Sequence, residues 1–297
     1  MTASAVTAGR WELLRALGAV ADDPAAARAV APSLGLEPVG GAEHTDAFVL
    51  NLPPYASVYL GPDGALGGEG ADRAAGFWRA IGITPPAEPD HLSALLGLYA
   101  SLGEARVAAR RPATVAALAR SQASLFCEHL WPWLPAYLDA VQDLAGPALA
   151  SWADLTRRVI AAEFTAQPAC PQLPLALRHA PPDPQPGLSL GELLSFLTTP
   201  VRSGMILTRN RLALGASYAG VGYRIGERRY TLRAMLGQDP TATSTWIARE
   251  AFRWHHRHNG RVPGDDVTGW WASRAARTGQ FLQGCSAAAA APAWMTP

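Results

Sequence analysis

The spacing of apolar residues along the chain predicts helices almost throughout. In "DHLSALLGLYASL" they recur at steps of three and four and form one continuous face: Leu92, Leu95, Leu96, Tyr99 and Leu102. Similar patterns predict further helices over residues 112–130, 147–164, 188–197, 210–218, 228–236 and 245–258. Strand-like alternation is scarce, and the best example is "AFVLNL", Ala47 to Leu52, which stops at Pro53. The chain is therefore predicted to be all-α.

Small residues form a second row along the helix that begins near Leu92. After Asp90, this row contains Ala94, Gly97 and Ser101. Side chains this small let another group approach the helix closely. Either a neighbouring helix or a docked peptide would fill the resulting groove.

Prolines predict a turn within the helical pattern and a boundary between two helical regions. Pro132 and Pro135 interrupt the helical pattern of "HLWPWLPAYLDAV" and fix two tryptophans at a turn. "QPACPQLPLALRHAPPDPQPG" has seven prolines and no steady period, so it is predicted to be a semi-rigid linker. The predicted organisation is a helical domain over residues 1–166, a linker over 167–187 and a helical extension over 188–297.

Composition and charge exclude several classes of function. The chain has 297 residues, is 49% hydrophobic and has a formal net charge of +1, which predicts a soluble globular protein with no nucleic-acid partner. All 25 basic side chains are arginine. Without lysine the chain has neither a Walker-type phosphate loop nor a pyridoxal-phosphate Schiff base. The glycine-rich "GPDGALGGEG", residues 61–70, is predicted to be a surface loop.

The cysteines and the N-terminal region point to one compartment. Cys127, Cys170 and Cys285 are widely spaced and odd in number, which favours a reducing environment over a disulfide scaffold. "WELLRALGAV" contains Glu12 and Arg15 and is typical of an amphipathic helix, not of a signal-peptide core. We expect a cytoplasmic protein with no stable membrane insertion.

"EPDHL", Glu88 to Leu92, places two carboxylates and an imidazole at the start of the apolar helix. From the residues alone, Asp90 could cap that helix and His91 could be an ordinary, partly buried histidine. Alternatively, these charged groups mark a binding site.

Three blocks of sequence, in order, resemble the TorD/DmsD/NarJ group of cytoplasmic chaperones for molybdenum-containing oxidoreductases. They are "LPPYASVYLGPDGALGGEGADRAAGFWRAIGI", then "EPDHL" leading into "LLGLYASL", then "LFCEHLWPWLPAYLDAV". The resemblance implies an all-helical protein that is not an enzyme and has no cofactor of its own. Its partners would be the apo-form of a molybdopterin-dependent oxidoreductase and the twin-arginine signal peptide of that protein. Such a chaperone holds its partner back from export and assists cofactor insertion.

The resemblance also implies a peptide site. Matched position by position, it comprises Pro54, Tyr55 and Ser57, the pair Asp90 and His91, and Trp131 and Trp133 within the His-Leu-x-Pro-Trp block. Tyr55 stands where relatives often have tryptophan. Glu88 and Asp90 supply carboxylates for the two guanidinium groups. Tyr55, Tyr59 and Trp131 supply an apolar surface for the stretch that follows them.

Two other functions stay open. His255 and His258 in "WHHRH" lie one helical turn apart and could bind a catalytic metal together with Asp265 or Asp266. A permanent scaffold subunit of an oxidoreductase would need the same exposed apolar groove as a chaperone. The region after residue 188 is additional to the compact family core, and its arginine-rich helices suit a partner surface.

Overall fold

The computed structural model describes residues 3–167, 170, 172–259 and 265–287, with the backbone alone for residues 3–8, 286 and 287. In these residues all regular secondary structure is helical, which confirms the all-α prediction. The extended backbone makes one isolated bridge, between Tyr55 and His91. Two compact units are present: one extends to Val58 and from Ala65 to Ala176, and the other comprises Tyr59–Gly64 and the chain from Leu177 onward. The boundaries of the predicted domains and linker remain a prediction.

Ten helices begin within the described residues up to Ala176: α1 Ala3–Asp22, α2 Pro24–Val30, α3 Gly41–His44, α4 Ala56–Leu60, α5 Gly68–Ala80, α6 Leu92–Ala108, α7 Pro112–Leu125, α8 Leu134–Leu144, α9 Pro147–Ala166 and α10 Leu175–Arg178. A 3-10 turn, Ala31–Leu34, follows α2, and π-helical segments Thr45–Asn51 and Phe126–Leu130 continue α3 and α7. The part of the later chain that the structure describes has six more: α11 Leu190–Thr198, α12 Pro200–Ser203, α13 Arg209–Ala219, α14 Arg228–Gln238, α15 Pro240–Asn259 and α16 Asp266–Ala287.

The strand-like stretch Ala47–Leu52 forms no strand, because all of it except Leu52 lies in the π-helical segment Thr45–Asn51. Its buried residues are Ala47, Phe48 and Asn51, whereas Val49 and Leu50 are exposed. This spacing is helical and not alternating. The predicted loop over residues 61–70 also ends too late, because α5 begins at Gly68. Gly70 is buried there, and a side chain at this position would place its Cβ 2.7 Å from the Cα of Ser57.

The first unit is built on the close packing of α1 against α6. A Cβ at Gly103 of α6 would lie 2.4 Å from the ring of Trp11, and a Cβ at Gly18 of α1 would lie 2.9 Å from the Cα of Ser93. Any side chain at either glycine would push the two helices apart. The contacts pair the start of one helix with the end of the other, so the helices are antiparallel.

A buried carboxylate connects α1, α6 and α9. Glu163 of α9 pairs with both Nε and Nη2 of Arg10 and accepts a hydrogen bond from the Tyr99 hydroxyl at 2.7 Å. Desolvation, with Glu163 nearby, raises the pKa of Tyr99. The Gln167 side chain donates to the Tyr99 hydroxyl. The Gln122 side chain donates to the Tyr99 backbone carbonyl. These bonds satisfy a charge that would be costly to bury alone.

The first unit also contains a disulfide between Cys127 and Cys170, so the expectation of unpaired cysteines is wrong for this pair. Spacing missed it because the partners lie on a π-helical segment and beyond the end of α9, which the fold brings together. A hydrogen bond from the Leu175 amide to Glu128 at 2.7 Å holds the same segment. The cysteines therefore no longer argue for a reducing compartment, and the location of the protein stays a prediction.

Packing in the second unit centres on the antiparallel pair α15 and α16. The ring of Trp246 in α15 fills the space above Gly215 of α13, where a Cβ would lie 2.4 Å away. Glu250 of α15 is buried between Arg211 and Arg253. The Tyr59–Gly64 segment belongs here because Arg202 donates a hydrogen bond to the Pro62 carbonyl at 2.6 Å.

His258 is a core residue of the second unit. Its ring lies between Trp254 and Trp271, at centroid distances of 5.3 and 6.0 Å, and its Nε2 bonds the Gly204 carbonyl at 3.2 Å. Burial lowers the pKa of His258 to about 4. Since the unfolded chain takes up a proton near pH 6.5, stability is present above that pH and is lost as pH falls toward 4.

We expect the disulfide to stabilise the first unit by constraining the unfolded chain. The two cysteines are 43 residues apart, so breaking the bond should lower the free energy of unfolding by about 4 kcal/mol on the chain-entropy model. Urea unfolding of Cys170→Ser, and of the wild-type protein with and without dithiothreitol, tests this. Cys285→Ser, which removes a cysteine outside the disulfide, is the control. Superimposable curves for the oxidised and reduced protein would contradict the prediction.

We also expect His258→Gln to reduce the dependence of stability on pH. The amide can still donate to the Gly204 carbonyl but does not titrate. Between pH 4.5 and 6, the slope of unfolding free energy against pH should fall by roughly one proton, or about 1.4 kcal/mol per pH unit. Urea titrations at several pH values measure this slope. The same slope in variant and wild type would rule out a buried neutral imidazole.

Candidate functional site

Two short segments of the first unit lie side by side and build the candidate site. The Ala56 amide donates to the Asp90 carbonyl at 3.0 Å, and the Leu92 amide donates to the Pro54 carbonyl at 2.8 Å. Tyr55 and His91 form the bridge between these bonds, with their rings edge to face at 4.7 Å. "PPYAS" and "EPDHL" are therefore one structural feature.

Asp90 holds the two segments together from inside. It is buried, and its Oδ2 accepts a hydrogen bond from the Ser57 amide at 2.8 Å. That amide lies in the first turn of α4, so Asp90 caps a helix other than the one that follows it in sequence. The Ser57 hydroxyl in turn accepts a bond from the Gly67 amide at 3.2 Å. Asp90 and Ser57 thus act as structural supports of the site.

His91 caps α6 and is a buried residue of the site. Its Nδ1 accepts the Ser93 amide at 3.2 Å and lies 2.7 Å from the Ser93 hydroxyl. That hydroxyl donates to Asp22, the last residue of α1, at 3.0 Å. Burial lowers the pKa of His91, and the carboxylates of Asp22, Glu88 and Asp90 oppose this shift.

Exposed carboxylates surround the Tyr55–His91 pair. Glu88 is exposed, and the Asp22 side chain keeps 53% of its surface in solvent. Half-burial raises the pKa of Tyr55 to about 12, with further contributions from Glu88, Asp90 and Asp22. The site is therefore an aromatic pair with two accessible negative charges at its rim, a combination suited to a cation.

The other predicted site residues lie elsewhere. Trp131 is buried and stacked between Phe126 and Phe164, with centroids at 5.9 and 4.2 Å. Trp133 is also buried and donates its indole N–H to the His129 carbonyl at 2.8 Å. Both belong to the core of the first unit. Tyr59 is buried in the second unit, where desolvation raises its pKa. None of these three side chains joins the Tyr55–His91 pair.

A groove lies further along α6 in the same unit. It has a volume of about 720 Å³ and an apolar lining from α6, α7 and the chain after α5, including Leu98, Ala105, Ala117 and Ile83. The small-residue row leads toward it: the described structure places no atom within 4 Å of a Cβ built at Gly97, and Ser101 lines the groove. At the groove end of the row, Arg15 of α1 donates a hydrogen bond to the Ser101 hydroxyl at 3.3 Å. The helical rise puts Ser101 about 15 Å from His91 along α6.

The histidines proposed as metal ligands do not form a metal site. Residues 260–264 lie outside the described part, but His255, His258, Asp265 and Asp266 lie within it. His255 bonds the Ala272 carbonyl and the Asn259 side chain through its two ring nitrogens. Within the described residues, no cluster of three or more histidine, cysteine, aspartate or glutamate side chains could hold a metal ion.

Comparison with known families identifies the region that contains the site. Residues 21–139 match the family described as "Nitrate reductase delta subunit". This stretch, about two fifths of the chain, is similar to that family. It is a family of chaperones for the maturation of molybdoenzymes and not a catalytic one. The match includes Asp22, Tyr55, Glu88 and His91. None of the curated proteins compared with the chain matches it.

Members of that family interact with the catalytic subunit of a molybdoenzyme. The helices of the described chain include none that combines the length and hydrophobicity of a membrane span. Sequence reasoning missed Asp22, which lies 69 residues before His91. Its position at the end of α1 carries no local signal, and only the packing of α1 on α6 brings it to the site.

We expect Asp90 to be required for stability and not for ligand contact. Asp90→Ala leaves the Ser57 amide buried without an acceptor, which should lower the free energy of unfolding by about 1–3 kcal/mol. Asp90→Asn keeps an oxygen at this position and should lose much less. Urea unfolding of both variants, with exposed Glu37→Gln as the control, makes the comparison. An unaffected Asp90→Ala variant would show that this bond does not hold the segments together.

Proposed function

We propose that the chain is a cytoplasmic chaperone that binds the twin-arginine signal peptide of a molybdopterin oxidoreductase and assists insertion of its cofactor before export. The observation that carries the proposal is the pairing of Tyr55 and His91 beneath the accessible carboxylates of Glu88 and Asp22. The family of residues 21–139 supports the general role in molybdoenzyme maturation.

Recognition of the two arginines rests on the rim of this site. Each guanidinium offers a planar fork of N–H donors, which matches the two oxygens of a solvent-accessible carboxylate. Glu88 and Asp22 project from different segments, so each can take one arginine. The electron-rich face of Tyr55 between them adds a cation–π contact. Asp90 and Ser57 contribute by keeping Tyr55 in place.

Recognition of the apolar stretch rests on the groove. In a signal peptide this stretch follows the arginines, and along α6 the groove follows the acidic rim at about 15 Å, a distance that about five extended residues span. Its alanine and leucine lining buries apolar surface at roughly 25 cal/mol per Å². In this proposal, Trp131 and Trp133 support the fold behind the site.

We expect removal of the rim charges to weaken peptide binding. Partly exposed ion pairs contribute about 0.2–1 kcal/mol each, so Asp22→Asn with Glu88→Gln should raise the Kd of a synthetic twin-arginine peptide roughly 2- to 30-fold at low salt. The matched control is Glu37→Gln with Asp72→Asn, which removes two exposed carboxylates elsewhere in the same unit. Calorimetry measures both. Equal effects of the two double variants would place the arginines elsewhere.

Two matched variants test the role of the groove in peptide binding. Ala117→Phe fills the groove, whereas Ala116→Phe adds the same ring to an exposed position outside the lining. Only the first should weaken binding, and the loss should persist at high salt because apolar contacts are not screened.

The division of recognition between charged rim and apolar groove also predicts the effect of changing the peptide. Replacing both peptide arginines by lysine should cost less affinity than replacing two of its leucines by serine.

A permanent scaffold subunit would bind through the same surfaces, so binding alone does not separate it from a chaperone. Release does. A chaperone should dissociate from the oxidoreductase once its cofactor is inserted, and gel filtration of the mature enzyme should find it free of this chain. Stoichiometric co-purification with the mature enzyme would instead indicate a subunit.

A further inference from the structure

A second surface with the character of a binding site lies on the second unit, far in sequence from the family region. It surrounds the connection between α13 and α14. We call it the arginine–tyrosine face, and its residues are Tyr223, Arg224, Ile225, Arg229, Tyr230 and Arg233. All six are exposed, and Ile225 keeps 85% of its surface in solvent. Tyrosine and arginine are enriched among the residues that dominate binding energy at interfaces, and Ile225 adds exposed apolar surface between them.

The connection is held in one conformation. The Gln238 side chain accepts from the Gly222 amide at 2.7 Å and donates to the Gly222 carbonyl at 3.0 Å. The Thr231 hydroxyl donates to the Arg224 carbonyl at 2.8 Å. Tyr230 lies over Gly226, where a Cβ would be 2.7 Å from the ring. Ile225 is therefore presented by a fixed backbone, so little conformational entropy is lost when a partner binds it.

The arginines of this face are available to a partner. Between Arg209 and Gln238 the sequence has one acidic residue, Glu227, and its carboxylate accepts the Arg229 and Tyr230 amides as the cap of α14. No carboxylate of the described chain pairs with Arg224, Arg229 or Arg233. Other arginines of this unit are used internally, as in the pairs of Arg211 and Arg253 with Glu250.

We propose that the arginine–tyrosine face docks a protein partner whose surface places carboxylates around an apolar cleft. The three guanidinium groups require negative charge, and planar carboxylates match their donor geometry. Ile225 requires a cleft that removes it from water, which a polyphosphate backbone does not provide. This interaction goes beyond signal-peptide binding by the first unit and does not depend on it.

Selection from a phage-displayed library of random 12-residue peptides tests the proposal with the full chain as bait. Wild-type protein should enrich peptides in which aspartate or glutamate flanks an aliphatic or aromatic residue. Ile225→Ser with Arg229→Ser should lose this enrichment, and the Kd of an enriched peptide, measured by fluorescence anisotropy, should rise at least tenfold. All changes are at exposed positions, and circular dichroism checks that the variant is folded.

A matched control changes the same kinds of residue elsewhere in the second unit. Leu214→Ser with Arg178→Ser removes one exposed apolar and one exposed basic side chain outside the face, and should keep the enrichment. Enrichment of the same peptides by the face variant would overturn the proposal. So would displacement of the enriched peptide by a single-stranded oligonucleotide at equal concentration, since the face would then be a nucleic-acid site.

Discussion

The close approach of α1 to α6 is the constraint on which the candidate site depends. Two glycines let the helices touch, with Trp11 seated on Gly103 and the Ser93 backbone against Gly18. Because the helices are antiparallel, the end of α1 arrives at the start of α6. Asp22 is thereby placed within hydrogen-bonding distance of Ser93, beside His91. The rim of the site is thus a product of helix packing, and the Glu163 network fixes the same pair of helices at their other end.

A buried charged residue, Asp90, supports the site from within the protein. Asp90 is buried in the contact between two segments that are more than thirty residues apart, and it satisfies a helix-terminal amide that would otherwise have no acceptor. A family motif can therefore contain residues with different tasks. In "EPDHL", Glu88 faces solvent, Asp90 holds the backbone, and His91 caps α6 while packing against Tyr55.

Periodicity was enough to predict the helical class, because long amphipathic patterns such as that of α6 survive in any packing arrangement. It left "AFVLNL" ambiguous, because a short apolar run fits a strand and a helix equally well, and the burial of Ala47, Phe48 and Asn51 identifies it as helical. The disulfide and the position of Asp22 at the site could not be predicted from the sequence for another reason. Both depend on contacts between residues distant in sequence, and neither has a local pattern. Buried Trp131 and Trp133 show that a motif match does not reveal which aromatic residues reach the surface.

The assignment of Tyr59–Gly64 to the second unit affects how the two units are connected. The chain passes between the units after Val58, again after Gly64 and a third time after Ala176. The second unit is therefore not a simple C-terminal appendage, since part of it is encoded inside the family region. A protein cut after the proline-rich stretch would retain these six residues and lose Thr199 and Arg202, which bond the carbonyls of Asp63 and Pro62. Loss of the extension therefore removes two side-chain donors from a loop that is encoded before α5.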